Sequence, residues 1–380
     1  MFCRQTVEGY PVLARWLFWN AGNAGVVAFF VLSGFLLSLP FWRAFREHRP
    51  RPDLRVYALR RLARIVPGFV FCVLLLAVIT GQFHTPAGRY QVGTCLTFCN
   101  WLFPATYMPE FDGPLWSISV EMTFYALLVL LVLGMFRCRR VGQVRGLLAA
   151  VLTVIIAGQV GLMAAAPRIE HAVANPALFA VDLWTVPGNP VYLFAHFLMG
   201  FLAADIYLAL GERRSTAPPP AGPGPYLNRY DLLAAGLMIL PLIIFDGRAI
   251  RHVPFLWRFW PLPWELPFLK YNWPMLPLIF ALILVSLAMS RRLGDWLDCR
   301  FLRVTATLSF GIYIWHVPLL TLLAHHWPVA LDGHLGSGVA FSGIGIGLSY
   351  LVAFLSYRLI EWPVLRRAHQ YQLRPRAHLR

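Results

Sequence analysis

Long apolar runs alternate with short polar connections along the whole chain. They lie near residues 25 to 41, 65 to 80, 116 to 136, 146 to 166, 190 to 210, 231 to 245, 273 to 290, 304 to 325 and 337 to 358. Most are close to the ~20 residues that carry a helix across a ~30 Å hydrocarbon core. The second and sixth are short as drawn and need flanking residues to complete a crossing. The pattern predicts an all-α, polytopic membrane helix bundle of about nine spans.

Composition sharpens this picture. Of 380 residues, 58% are hydrophobic and 13% charged, which no water-facing surface of this size tolerates. The net charge of +16 is a topology signal and does not point to nucleic acid. The connections 43 to 64, 137 to 145, 211 to 229 and 291 to 303, with the tail 361 to 380, hold 24 of the 33 Lys and Arg residues. Positive-inside bias puts that set in the cytoplasm, and the first residues outside. Residues 1 to 24 lack the basic head, apolar middle and small-residue cleavage site of a signal peptide, so an additional span ahead of them is expected.

The chain reads as one membrane-embedded domain over residues 1 to 380, with the Pro/Gly stretch 211 to 229 as a flexible cytoplasmic linker. No soluble stretch is long enough for a catalytic domain, so the helices must house any chemistry. The cysteines are scattered, and the one close pair, Cys95 and Cys99, has C-x3-C spacing with no second pair, so no metal site is expected.

Polar residues inside the runs are the candidates for function. In FDGPLWSISVEMTFY, Ser117, Glu121 and Tyr125 recur at i, i+4 and i+8, a hydroxyl, a carboxylate and a phenol on one helical face. A carboxylate in a span costs roughly 2.5 to 3.5 kcal/mol, so this stripe faces inward. It either bonds a neighbouring helix as glue or serves as a general base. In YALRRLARIVPGF, Arg61 and Arg64 share a face at a helix start, suited to phosphate, though eight arginines in residues 43 to 64 also fit ordinary snorkelling. Ser33 and Gly34 sit mid-run, where small residues allow close helix packing. His316 lies about twelve residues into its run, ~18 Å along a helix. It is either bonded to a neighbour or a proton carrier, and His196 is similar with less context. Residues 246 to 273 combine Trp257, Trp260, Trp264 and Trp273 with Arg248, Arg251 and Arg258, as a sugar-stacking surface or an interfacial aromatic belt.

FFVLSGF, RLARIVP, GPLWSISVEMTFY and SFGIYIWHVPL, in this order over some 290 residues, resemble the bacterial acyltransferase-3 family of inner-membrane acyltransferases. The resemblance implies about ten helices and an acyl-CoA donor from the cytoplasm, with no bound cofactor. The acceptor is then a hydroxyl of a sugar, polysaccharide, lipid or small molecule, and acetyl is the expected group. It assigns Arg61 and Arg64 to the donor's phosphates, Phe29, Phe30, Ser33 and Gly34 to the Phe-Phe-x-x-Ser-Gly signature, and Trp116, Ser117 and Glu121 to the Trp-Ser and Glu positions. His316 matches a recurrent His. Glu121 and His316 are then the catalytic candidates, with Ser33, Ser117 and Tyr125 as possible oxyanion donors. The family's first helix, with Arg or Lys ten residues before a His, has no counterpart here. The chain therefore reads as one whose start lies farther upstream or as a truncated, inactive member. A transporter or flippase using Glu121 and His316 for protons is the reading from another class.

Overall fold

The computed structural model describes residues 12–172, 190–215, 228–245, 275–290, 292–327 and 335–373, and the tryptophan-rich stretch 246–273 lies outside them. Helices run over Val12–Arg46 (α1), Leu54–Ile79 (α2), Pro86–Leu96 (α3), Leu115–Met135 (α4), Val141–Ala172 (α5) and Pro190–Ser215 (α6). They continue over Arg229–Phe245 (α7), Met275–Met289 (α8), Arg292–Leu297 (α9), Arg300–His326 (α10), Leu335–Ser356 (α11) and Trp362–Leu373 (α12). No strand occurs among the described residues, so the protein is an all-α, multi-pass membrane protein.

Local chemistry sets the helix ends. The second apolar run gains its missing length upstream, where the Asp53 carboxylate caps α2 by accepting from Arg55 N at 2.8 Å. The same helix stops where the Thr80 hydroxyl folds back on the Leu76 carbonyl and Gly81 turns left-handed at φ 69°. Helix α3 starts with Thr85 capping Gly88 N at 3.0 Å and proline in the first turn. Seven helices among the described residues are long and apolar enough to cross a membrane. The runs expected at 231 to 245 and 273 to 290 form helices of 17 and 15 residues among the described residues. Helix α6 continues through Ser215, so the expected linker is helical at its start, and 216–227 lies outside the described residues.

The chain divides into two compact units, one of residues 16–51 and 130–299, the other of 52–129 and 300–380 with the first fifteen. In the former, α1 and α6 meet backbone to backbone. Gly34 faces the Phe197 carbonyl and Gly200 faces the Val31 carbonyl, a reciprocal pair in which any Cβ would overlap the opposite main chain. Phe30 and Ser33 are buried on α1 beside this crossing. Close packing thus accounts for the small residues at mid-run. Replacing Gly34 with Ala is expected to cost about 1–3 kcal/mol, the usual penalty of overpacking, read as a lower melting temperature of the purified protein. Two turns of α1 beyond Gly34, buried Trp42 donates to the Phe201 carbonyl at 2.9 Å. Asp205, its side chain 1% exposed, takes Arg46 on one oxygen and Arg145 on the other, each at 2.6 Å, while Arg46 also reaches Glu212. His196 is a core histidine, with Nδ1 3.2 Å from the Leu193 carbonyl. Asn228 and Asp231 cap α7 reciprocally, and Asp231 also accepts from Leu293 N at 3.1 Å, tying α7 to α9.

In the other unit α2 runs through the centre. Phe69, fully buried, stacks on Phe98 with ring centroids 4.7 Å apart. Helices α10 and α11 approach closely at Gly311, where a Cβ would lie 3.0 Å from that of Ala353. The Thr305 and Tyr350 hydroxyls share a hydrogen bond of 2.8 Å across the same pair. Between α11 and α12 the chain makes a π turn over Tyr357–Glu361.

Candidate active site

The 52–129 and 300–380 unit holds most of the predicted polar residues. Arg61, Arg64, Trp116, Ser117, Glu121, Tyr125 and His316 belong to it, while Phe30, Ser33 and Gly34 belong to the other. The first question for a buried carboxylate is whether it faces lipid or protein. Glu121 is 2% exposed and accepts from the Tyr125 hydroxyl one turn on, so the polar stripe of α4 does look inward.

Its surroundings place it at the arginine end of the unit. The Tyr125 ring meets Tyr57 of α2 edge to face at 6.5 Å, and Tyr57 lies one turn before Arg61. Tyr57 and Tyr125 are each within electrostatic reach of both Arg61 and Glu121. Glu121 therefore sits close to the guanidinium face. The Arg61 Nε is buried and meets no hydrogen-bond acceptor among the described residues. Arg64 reaches across to α10, where its Nη2 lies 3.5 Å from the Ala306 carbonyl.

Helix α10 carries the rest of the site away from that end. Tyr313 and Ser117 share a hydrogen bond of 2.6 Å, and both hydroxyls also lie near the Pro114 carbonyl. One turn farther, His316 Nδ1 is 2.6 Å from the Tyr313 carbonyl. A carbonyl can only accept, so Nδ1 carries a proton, and in the neutral form of the ring the lone pair is at Nε2. Ten residues of α10 separate Ala306, against Arg64, from His316, about 15 Å of helix at 1.5 Å per residue. Trp116 stacks on Tyr107 at 5.1 Å and walls this end.

Tyr57 lies in the arginine-rich connection 43 to 64 and Tyr313 in an apolar run, and neither carries a charge or recurs with a polar period, so no sequence signal marks them. Asp112 had a faint one, an Asp-Gly step just ahead of the apolar run. It is 2% exposed, and neither carboxylate oxygen meets a hydrogen-bond donor among the described residues. Burial pushes this carboxyl well above its ordinary range, so its neutral form is favoured. Cys95 and Cys99 are both free thiols, and burial pushes the Cys95 thiol up to about 12, which makes it unreactive.

A family model described as an acyltransferase domain, that of acyltransferase-3, matches residues 5–358. The chain belongs to that family. Among curated relatives of this acyltransferase-3 member, YrhL of Bacillus subtilis (strain 168), provisionally named a peptidoglycan O-acetyltransferase, is 26% identical over 96% of the chain and 53% of its own length. The peptidoglycan O-acetyltransferase OatA of Listeria monocytogenes is 24% identical over 91% of the chain and 51% of its own. The acyltransferase MdmB of Streptomyces mycarofaciens is 32% identical over 27% of each. The chain thus spans about half the length of the first two. No solved structure matches it.

Proposed function

We propose that this acyltransferase-3 member moves an acyl group, acetyl in the first instance, from acyl-CoA to a carbohydrate hydroxyl. The observation that carries this reading is the spacing along α10. A guanidinium face at Ala306 and a neutral imidazole about 15 Å farther on match the two ends of an extended acyl-CoA arm, phosphates at one and thioester at the other. The names of the relatives point the acceptor toward a cell-wall polysaccharide and the group toward acetyl.

In this scheme Arg61 and Arg64 hold the donor phosphates with charge-assisted hydrogen bonds. His316 Nε2 takes the proton of the acceptor hydroxyl as its oxygen attacks the thioester carbon. The Ser117 and Tyr313 hydroxyls, one turn earlier on that path, face the developing oxyanion. When the intermediate collapses, the carbon–sulfur bond breaks, the sulfur takes up a proton, and ester and free coenzyme A result. Glu121 supports the donor end, where it orders Tyr125 and balances Arg61.

The test is a binding titration of coenzyme A to the purified protein. Arg61→Ala with Arg64→Ala is expected to weaken binding about 100-fold, roughly tenfold for each guanidinium–phosphate hydrogen bond removed. Unchanged affinity in the double variant would remove the arginines from donor binding.

A further inference from the structure

Asp112 and Glu361 are the buried carboxylates of this unit that the mechanism leaves unused, and Glu361 is the one on the donor side, against α2. Glu361 closes the π turn between α11 and α12. Such a turn inserts one residue into the helical ring and re-aims the side chains around it, and π turns concentrate at functional sites. Here it leaves Glu361 2% exposed. Its Oε1 accepts from the Ser356 hydroxyl at a long 3.5 Å. Helix α2 makes room for it, since a Cβ on Gly68 would lie 3.2 Å from that oxygen and 2.9 Å from the Phe310 ring.

The cation that bears on this carboxylate is Arg64, one turn before Gly68. No Arg64–Glu361 contact ion pair occurs among the described residues, and the guanidinium Nη2 lies 3.5 Å from the Ala306 carbonyl. Arg64 is thus held between a neutral carbonyl and a carboxyl at longer range, and it makes no other hydrogen bond among the described residues. An unopposed arginine pair at this spot would grip acyl-CoA and free coenzyme A alike, since both carry the same phosphates. Binding that is uniform along the reaction slows release and does nothing for chemistry.

We infer that Glu361 is a built-in counter-charge of the donor site, competing with the donor's phosphates for Arg64 so that coenzyme A leaves after transfer. This rests on the reading of Arg61 and Arg64 as donor-binding. Glu361 acts through Arg64 and is a positioning residue, not a catalytic one.

The experiment titrates coenzyme A into purified full-length protein in four forms: wild type, Arg64→Ala, Glu361→Gln and the double variant. Glu361→Gln keeps the shape and removes the charge. It is expected to bind coenzyme A about tenfold more tightly, with KM for acetyl-CoA and kcat both falling, the mark of slowed release. In the Arg64→Ala background the same change is expected to shift affinity less than about twofold, because the cation it acts through is gone. A merely structural role would weaken binding and show no such dependence on Arg64. If Arg64→Ala leaves affinity unchanged, Arg64 drops out of donor binding and this inference falls with it. If Arg64→Ala weakens binding but Glu361→Gln binds equally or more weakly, the donor reading stands and the counter-charge is refuted. Should Glu361→Gln not yield monodisperse protein, Glu361→Met, which fills the same space without charge, carries the same expectation. Failure of both to fold would assign Glu361 to holding the helices together and overturn the inference.

Discussion

Replacing His316 with Asn is expected to lower acetyl transfer by about 10²–10⁴-fold, the range by which a positioned general base accelerates proton transfer. The Asn amide nitrogen takes the place of Nδ1 and can still donate to the Tyr313 carbonyl, so the local hydrogen bond survives while the basic nitrogen is lost. Coenzyme A affinity is expected to stay within about twofold of wild type, since groups well beyond 10 Å apart with no shared partner act independently. The two readouts together separate catalysis from collapse. Turnover falls in a thiol-release assay, while the titration and the melting temperature do not move. Turnover within about threefold of wild type would place the base elsewhere, and Glu121, the other catalytic candidate read from the sequence, would take its place in the scheme.

The second large effect belongs to stability. Removing the carboxylate in Asp205→Ala is expected to cost about 3 kcal/mol, the lower end of the range for breaking a buried ion pair. Arg46 keeps Glu212 and Arg145 is half exposed, so neither cation is left wholly uncompensated. The measurement is thermal unfolding in detergent, and a melting temperature within 1 °C of wild type, roughly a few tenths of a kcal/mol for a protein of this size, would contradict it. Asp205→Ala is a different kind of loss from Gly34→Ala, because it removes an attraction where the glycine change adds a collision.

The sequence carried the inward-facing stripe of α4 because a single carboxylate in an apolar run has one favourable orientation. It carried the tight crossing of α1 for a similar reason, since Ser33 and Gly34 leave a notch that only another backbone fills. Distances between helices were another matter. Counting along one run gives depth within that run alone, and the contact of Tyr57 with Tyr125, which brings Glu121 to the arginines, depends on how two runs slide past each other. Asp205 sits among apolar residues without a periodic partner, its two arginines far off in the chain. Glu361 looked like the first residue of a charged tail, and only the π turn, a backbone event with no local signature, folds it inward.

The Asp205 clamp also bears on how this protein is made. Its anchor lies 159 residues after Arg46 and 60 after Arg145. As the nascent chain leaves the ribosome, the first helix and the one starting at Val141 present their cations long before the acid that joins them exists. The three-helix knot can be tied only after the segment up to Glu212 has been synthesised and inserted, so lateral assembly of these helices cannot precede the insertion of α6.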